Sequence, residues 1–349
     1  MNKKKNLLWS LAALVIAVIS IWAVISQAHH FSLENFGAFI TGADPFWLVA
    51  AVICMCFFVL LEGRSLQIIL QAFGYRKKWR TCLVYSAADI YFSAITPSAT
   101  GGQPASAFFM ISDGIPAAVV TLALLLNLVL YTVSIMLVGL LALVVRPSIF
   151  IHFYGFSKFL IIIGYVALGL LSTGFILLIR YEQILHKIIG GLISLLHKIK
   201  LLRRLEHWQK KTDKIIADYK KCVGMIQGHL PELLRAFFCN FLQRFVQICV
   251  PAFVVLSMKR SADQALSVWV TQVFVTIGSN CVPIPGAQGV SDYLLLDGLG
   301  EMMGNDVAIN LDLLSRSISF YACVLISLLV VAVAYFRRRE KKQRFFGRG

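Results

Sequence analysis

Residues 81–114 read TCLVYSAADIYFSAITPSATGGQPASAFFMISDG, two short apolar arms joined by a loop rich in proline and glycine. An α-helix made from one arm of about fourteen residues rises about 21 Å, whereas the hydrocarbon core of a bilayer is about 30 Å thick. Neither arm is long enough to cross that core. The stretch therefore predicts a re-entrant helical hairpin, which enters a membrane and returns to the side from which it came.

The same pattern recurs at residues 266–305, whose loop at 282–289 reads VPIPGAQG. Both loops carry proline, then paired small residues, then glutamine. Short segments of this composition match by chance, so their matching position in the topology is the better evidence. Each broken region lies between two long apolar segments of opposite direction. The unit span–hairpin–span thus occurs twice, and the second copy is inverted relative to the first. This inverted repeat is the design of many transporters.

The composition requires a bilayer as the solvent for this fold. The chain has 349 residues, of which 58% are hydrophobic and 14% charged, and a soluble domain has about 25% charged residues. The net charge is +16. The cations cluster in short segments between apolar spans, as in loops that face anionic lipid. We therefore expect no nucleic-acid partner.

Long apolar segments predict the membrane spans. With the two hairpins they give an all-α, polytopic architecture and a single transmembrane domain over residues 1–349, with a first repeat at about 46–145 and a second at about 230–336. Lys3–Lys5 precede the first segment, which is too long for a usual signal peptide, so we expect an uncleaved helix. The six predicted full spans are Leu7–Ser26, Phe46–Ala72, Ile115–Val145, Ser157–Arg180, Leu230–Met258 and Asp306–Phe336.

The distribution of Lys and Arg predicts the sidedness. Residues 27–45 contain neither and are expected outside, whereas the cluster at 76–80 is expected in the cytoplasm. The basic stretch 187–221 falls in the cytoplasm only if residues 81–114 return to their starting side. Both termini, including the basic tail 337–349, are then cytoplasmic in a cell membrane. Two full crossings per broken region give the same sidedness, so eight to ten spans is the alternative.

The segment 182–221 has leucine and isoleucine at helical spacing among Lys and Arg. One interpretation is an amphipathic helix on anionic lipid of the inner leaflet. A solvated pair of cytoplasmic helices fits the pattern equally well.

The hairpin loops predict a binding site for an anion. A helix that begins after such a loop directs free N–H groups and its positive dipole end toward the cavity that the loop lines. Pro104 suits the first turn of one such helix, and Ser291 or Asp292 suits the cap of the other. In a membrane the fitting anion is a phospholipid headgroup. The alternative is that the loops break the helices only for packing.

Arginines inside apolar spans indicate the same chemistry. Charged residues there are costly and face a partner or a cavity, and guanidinium binds phosphate in a bidentate manner. Internal ion pairs that fix the packing are the alternative interpretation. Tyr91, Gln243 and Gln247 are further candidates for a polar lining. The predicted substrate-binding residues are Arg64, Asp89, Thr96, Gly101, Gly102, Gln103, Arg244, Pro285, Gly286, Gln288, Asp292 and Arg316.

The sequence carries no motif of catalysis. It has no phosphate-binding Walker loop, no GxGxxG and no GxSxG. The seven histidines form no ligand-spaced pair and the eight cysteines no CxxC. We therefore expect no catalytic residue, no metal and no cofactor in this chain.

Three segments resemble one known family. Residues 95–104 (ITPSATGGQP), residues 283–292 (PIPGAQGVSD), and the segment LSR at 314–316 followed by Tyr321 are similar to signature segments of the lysylphosphatidylglycerol synthase transmembrane family. The similarity covers nearly the whole chain. Many relatives have Glu after the second loop, where this chain has Ser291 and Asp292.

The resemblance implies lipid translocation. The family includes the flippase half of the multiple peptide resistance factor, which moves lysylphosphatidylglycerol to the outer leaflet and so confers resistance to cationic antimicrobial peptides. It also suggests self-association as a homo-oligomer. One alternative is a lysyltransferase that uses lysyl-tRNA, with a separate aminoacyl-transfer domain as partner, because little chain follows the last span. The other is a membrane scaffold for such an enzyme.

Overall fold

The computed structural model describes residue 37 and residues 41–96, 101–181, 223–224, 228–280 and 289–346. Within these ranges every regular element is a helix, so the all-α prediction is confirmed for them. The predicted first span and the basic segment 182–221 fall outside the described residues. The helices are α1 Pro45–Ala72, α2 Trp79–Ile95, α3 Gly102–Ser112, α4 Ala117–Val145, α5 Pro147–His152, α6 Gly155–Arg180, α7 Leu230–Ser257, α8 Ala262–Ser279, α9 Val290–Met303, α10 Asn305–Arg316, a π-helical turn Ser317–Ala322, and α11 Cys323–Phe346.

Five helical segments are long and apolar enough to cross a bilayer, and they coincide with five of the six predicted spans. Four of them belong to α1, α4, α6 and α7. The fifth runs through α10, the π turn and α11, so the predicted last span is a helix whose hydrogen-bond pattern changes after Arg316. Extra residues of this kind are accommodated as π turns, often at functional sites. The five segments are Pro45–Ala72, Ala117–Val145, Gly155–Leu178, Leu230–Ser257 and Val307–Phe336.

Each broken apolar region folds as a pair of shorter helices packed against each other, α2 with α3 and α8 with α9. Helix α2 has 17 residues and α3 has 11, whereas α8 has 18 and α9 has 14. At 1.5 Å per residue these helices measure about 26, 17, 27 and 21 Å, all shorter than a bilayer core. The connecting loops 97–100 and 281–288 lie outside the described residues.

The first helices of the two predicted repeats, α1 and α7, form the most extensive interhelical contact. Each contains arginine followed three residues later by glutamine. Arg64 Nη1 donates to Gln67 Oε1 at 2.5 Å, and Arg244 Nη1 donates to Gln247 Oε1 at 2.6 Å. The two helices thus share a local Arg–Gln contact, and the inverted repeat stays a prediction.

Glycines set the close crossing of α6 and α8. A Cβ on Gly164 would overlap the carbonyl of Ile277, and one on Gly278 would lie 3.3 Å from Ile161 Cγ1. Small residues permit such backbone approach between membrane helices. The crossing holds the α8–α9 pair against α6.

The apolar core is divided into two clusters, and polar side chains lie between them. On α1 one cluster ends at Val59 and the other begins at Leu66, with Glu62 and Ser65 between them. On α4, Asn127, Thr132 and Ser134 separate the two clusters, and on α7 Asn240 and Gln243 do so. Most of these residues lie in the middle part of their helices, and Ser65 lies in the last third of α1. The bundle therefore contains a polar layer midway along its long helices.

Candidate functional site

A cavity of about 450 Å³ opens in this polar layer, between α1, α2, α3, α4, α7, the π turn and α11. Its apolar wall includes Phe58, Tyr131 and Phe320. Its polar and charged lining consists of Glu62, Asp89, Ser93, Gln103, Asn127, Asn240, Gln243, Arg244, Gln247 and Ser319.

Arg244 reaches the cavity from α7 and lies on an aromatic ring. Its Cζ is 3.7 Å from the ring centroid of Tyr131 and 5.1 Å from that of Phe58, which is cation–π geometry. Its Nε is buried and has no hydrogen-bond partner. Among the described residues no carboxylate forms an ion pair with Arg244. The guanidinium therefore keeps donor capacity for a molecule in the cavity.

Two buried carboxylates face the same space, and amide side chains hold both. Gln243 Nε2 donates to Glu62 Oε2 at 3.1 Å, and Gln103 Nε2 donates to Asp89 Oδ2 at 3.2 Å. Glu62 is 7% exposed and Asp89 is 8% exposed. Among the described residues, neither carboxylate forms an ion pair with Arg244.

A buried hydrogen-bonded trio fixes the neighbouring part of α7. Ser65 Oγ donates to Asn127 Oδ1 at 2.8 Å, and Asn240 Nδ2 donates to Ser65 Oγ at 2.6 Å. The side-chain amide oxygens, Asn240 Oδ1 and Gln243 Oε1, are nevertheless buried and accept no hydrogen bond. Buried polar atoms are rarely left unpaired. These two unpaired oxygens belong to residues that line the cavity.

The start of α3 is built around Asp89. Thr96 Oγ1 accepts from the N–H of Gly101 at 2.8 Å and donates to the carbonyl of Phe92 at 2.6 Å, which ties the end of α2 to the start of α3. A Cβ on Gly102 would overlap the side chains of Asp89 and Ser93. The Asp89 carboxylate thus lies against the first turn of α3, in which Pro104 is found as expected.

The start of α9 carries a carboxylate as well. The N-cap is Gly289, at φ +78°, rather than Ser291 or Asp292. Asp292 is the third residue of the helix, and its Oδ2 accepts from the N–H of Gly289 at 3.2 Å. In the described part of the chain, the two helix starts therefore do not share one open anion site. Each is faced by a carboxylate of the protein itself.

Arg316 belongs to a second charged cluster outside the cavity. It forms ion pairs with Asp292 on α9 and, at 3.4 Å, with Asp312 one turn earlier on α10. Its Nη2 also donates to Ser291 Oγ at 3.1 Å. These contacts tie α9 to α10, as in the alternative interpretation of internal ion pairs.

The sequence profile of one protein family, described as the lysylphosphatidylglycerol synthase TM region, matches residues 9–327 of the chain. The chain belongs to this family. The resemblance of the loop motifs is thereby confirmed, and the protein is a multi-pass membrane protein of the lysylphosphatidylglycerol synthase or flippase type. No curated protein sequence matches the chain.

The structure of this family member separates the residues predicted to bind substrate. Asp89, Gln103 and Arg244 meet in the cavity. Thr96, Gly101 and Gly102 shape the start of α3 beside it, whereas Asp292 and Arg316 form the second cluster. Pro285, Gly286 and Gln288 lie outside the described residues.

Arg64 is a predicted substrate-binding residue that belongs to neither the cavity nor the second cluster. Its side chain is exposed on α1 and bonded to Gln67, whose Nε2 donates to the carbonyl of Lys77 in the turn before α2. Arg64 is not part of the cavity lining. The residue on α1 that does face the cavity is Glu62, two positions earlier and on another face of the helix.

Sequence reasoning missed three of the buried polar residues, Glu62, Asn127 and Asn240. A signal existed for each, because an ionisable or amide side chain in the middle of an apolar span is costly unless it has a partner. Asn127 stands in the apolar run of α4, and Glu62 and Asn240 lie near the middle of α1 and α7.

Proposed function

We propose that this family member moves a phospholipid between the leaflets of the cell membrane, with the headgroup passing through the cavity and the acyl chains remaining in lipid. The observation that carries the proposal is the polar cavity midway along the spans, with an arginine that has no ion-pair partner among the described residues. A cavity of about 450 Å³ is within the usual size of small-ligand sites. The cavity is too small to hold the two acyl chains in addition to the headgroup.

The charges of the cavity suit a headgroup that carries both signs. Arg244 can bind the phosphate, and Glu62 and Asp89 can accept hydrogen bonds from an ammonium group. Lysylphosphatidylglycerol has both groups, and it is the lipid in the family's description. Export of this lipid would lower the negative charge of the outer surface and thus confer resistance to cationic antimicrobial peptides.

Re-entry of the α2–α3 hairpin is part of the proposal. Gln103, in the first turn of α3, bonds Asp89 in the polar layer, where Glu62 of α1 and Gln243 of α7 also meet. A start of α3 beside the inner part of two long spans supports a hairpin that ends inside the bilayer. The charge pattern of the loops supports cytoplasmic termini.

Lipid exchange in vesicles tests the function. The purified chain is reconstituted with fluorescent lysylphosphatidylglycerol, and the fraction accessible to a membrane-impermeant quencher is followed in time. We expect protein-dependent exchange and a rate about tenfold lower for Arg244→Gln, because the phosphate loses a charged partner. Arg235→Gln removes an exposed arginine of the same helix and serves as the control.

Exchange no faster than in protein-free vesicles, for anionic, zwitterionic and aminoacylated lipids alike, would refute lipid movement. No contact among the described residues favours the lysyltransferase or the scaffold over transport, so both alternatives, and the homo-oligomer, stay predictions.

A further inference from the structure

The formal charges that line the cavity do not balance. Glu62 and Asp89 are two carboxylates, and Arg244 is the single guanidinium among the described lining residues. Inside a membrane protein an uncompensated charge is costly, and such residues pair with each other or mark an ion pathway. When both carboxylates are ionised, the described lining residues therefore carry one more negative than positive charge.

Hydrogen-bond acceptors are in excess at the same place. Gln243 uses its Nε2 on Glu62, and its Oε1 has no donor; Asn240 Oδ1 has none either. Both residues are 1% exposed. An amide oxygen can only accept hydrogen bonds or coordinate a cation, so the ligand that completes this group is a donor or a cation.

Arg244 does not complete the group. Its guanidinium lies over Tyr131, and its Nη1 donates to Gln247 at 2.6 Å. The other titratable side chains that line the cavity are Tyr131 on α4 and Cys323 on α11, which are neutral in their protonated forms. The space beside Glu62 and Gln243 thus contains acceptors without a matching positive group.

We propose that the cavity binds one small monovalent cation, a proton or a sodium ion, at Glu62 and Gln243, and that lipid movement is coupled to its exchange. This inference rests on the proposed function. The cation compensates the second carboxylate while the cavity holds no lipid. The ammonium group of an entering headgroup takes over that role, so the cation leaves as the lipid enters. A gradient of the cation then drives the lipid in one direction.

Cation binding is measured first, on the purified chain without lipid. We expect about one ²²Na⁺ bound per chain, displaced by short-chain lysylphosphatidylglycerol. If the cation is a proton, we expect no bound sodium but the release of about one proton per chain when that lipid is added to a weakly buffered solution. Either result supports the proposal when Glu62→Gln abolishes it.

Variants separate this site from general effects of charge. Glu62→Gln keeps the size of the side chain. Gln243→Met removes the free oxygen, together with the hydrogen bond to Glu62, and leaves both carboxyl groups in the chain. Asp263→Asn, an exposed acid outside the cavity, is the matched control and should retain the binding. Elution as a single species in size-exclusion chromatography verifies that each variant is folded. Wild-type protein that neither binds sodium nor releases protons overturns the proposal.

Coupling is then tested separately from lipid movement. Proteoliposomes that exchange lipid are given a sodium or a proton gradient, and we expect one of the two to change the rate at least fivefold. Rates within twofold under both gradients would overturn the coupling and leave the proposed function standing. Stoichiometric cation binding without any lipid exchange would instead refute the proposed function.

Discussion

Two clusters in this protein contain the same groups, two carboxylates and one arginine, and differ in how these groups meet. In the closed cluster Arg316 directly contacts Asp292 and Asp312. In the open cluster Arg244 lies on an aromatic ring, and amide side chains hold the two carboxylates. The closed cluster joins neighbouring helices of one repeat, whereas the open cluster spans both predicted repeats. The same composition thus supports packing in one place and leaves a receptive cavity in the other.

The largest effect is expected when Arg316 is removed from the closed cluster. Arg316→Gln leaves two partly buried carboxylates without their cation, and we expect the free energy of unfolding to fall by about 3 kcal/mol. This is the low end for a broken buried pair, because Asp292 is 37% exposed. Denaturant titration in detergent micelles measures it. Arg64→Gln, at an exposed site, should change stability by less than about 0.5 kcal/mol, and equal losses in both variants would contradict the distinction.

The open cluster should be sensitive to the space around Asp89. Gly102→Ala places a methyl group against the carboxylate and the Ser93 hydroxyl, and overpacking of this kind costs about 2 kcal/mol. Gly174 on α6 has no atom within 4 Å of an added Cβ. Gly174→Ala should therefore be neutral or stabilise by up to about 1 kcal/mol through helix propensity. Thermal unfolding of both variants is the measurement, and a destabilised Gly174→Ala would argue against the packing explanation.

Replacement of Tyr131, whose ring lies under Arg244, should have a smaller effect. Tyr131→Leu removes a cation–π contact worth about 1 kcal/mol, which corresponds to about a fivefold lower rate of lipid exchange. Tyr131→Phe retains the aromatic face and should stay within twofold of the wild type. If the phenylalanine variant were as slow as the leucine variant, the hydroxyl group rather than the ring would be the important feature.

The smallest effect on stability is expected at an exposed ion pair, because water screens its charges. Arg146 and Asp263 form an ion pair at the end of α4, and Arg146 also donates to Ser267 at 2.6 Å. The hydrogen bond from Arg146 lowers the pKa of Asp263 below its ordinary value of 3.8. A carboxyl group with a lowered pKa stabilises the fold above its unfolded pKa, and this contribution is lost as the pH falls through the folded pKa.

Asp263→Asn should therefore lower the melting temperature slightly at neutral pH and leave it unchanged in strong acid. Exposed pairs of this kind contribute little. A melting-temperature difference that persisted in strong acid would show that the substitution acts through packing rather than through charge.

The sequence predicted the spans well because a bilayer imposes a length on every apolar segment that crosses it. It also predicted the two helix pairs, because proline and glycine interrupt those segments. The sequence could not show which arginines form ion pairs and which face the cavity. Arg316 and Asp312 are four residues apart, a spacing that indicates an ion pair, but the contact of Arg316 with Asp292 joins residues 24 positions apart.

Long-range pairing also explains why the open cluster escaped sequence reasoning. Glu62 and Gln243 are 181 positions apart, and Arg244 meets a ring on α4. The packing of α1 and α4 against α7 brings these side chains together. The sequence indicates which polar residues lie inside apolar spans, whereas the tertiary contacts decide which of them are paired and which remain available.

The π turn between Arg316 and Cys323 has a consequence for how the chain tolerates a change in length. A π turn contains one surplus residue, so deletion of a single position there restores a regular α-helix and leaves the following residues on the same face. The same deletion elsewhere in the last span would rotate everything after it by about 100°. We expect this turn to accept the loss of a residue while Cys323 and Val324 still face the cavity.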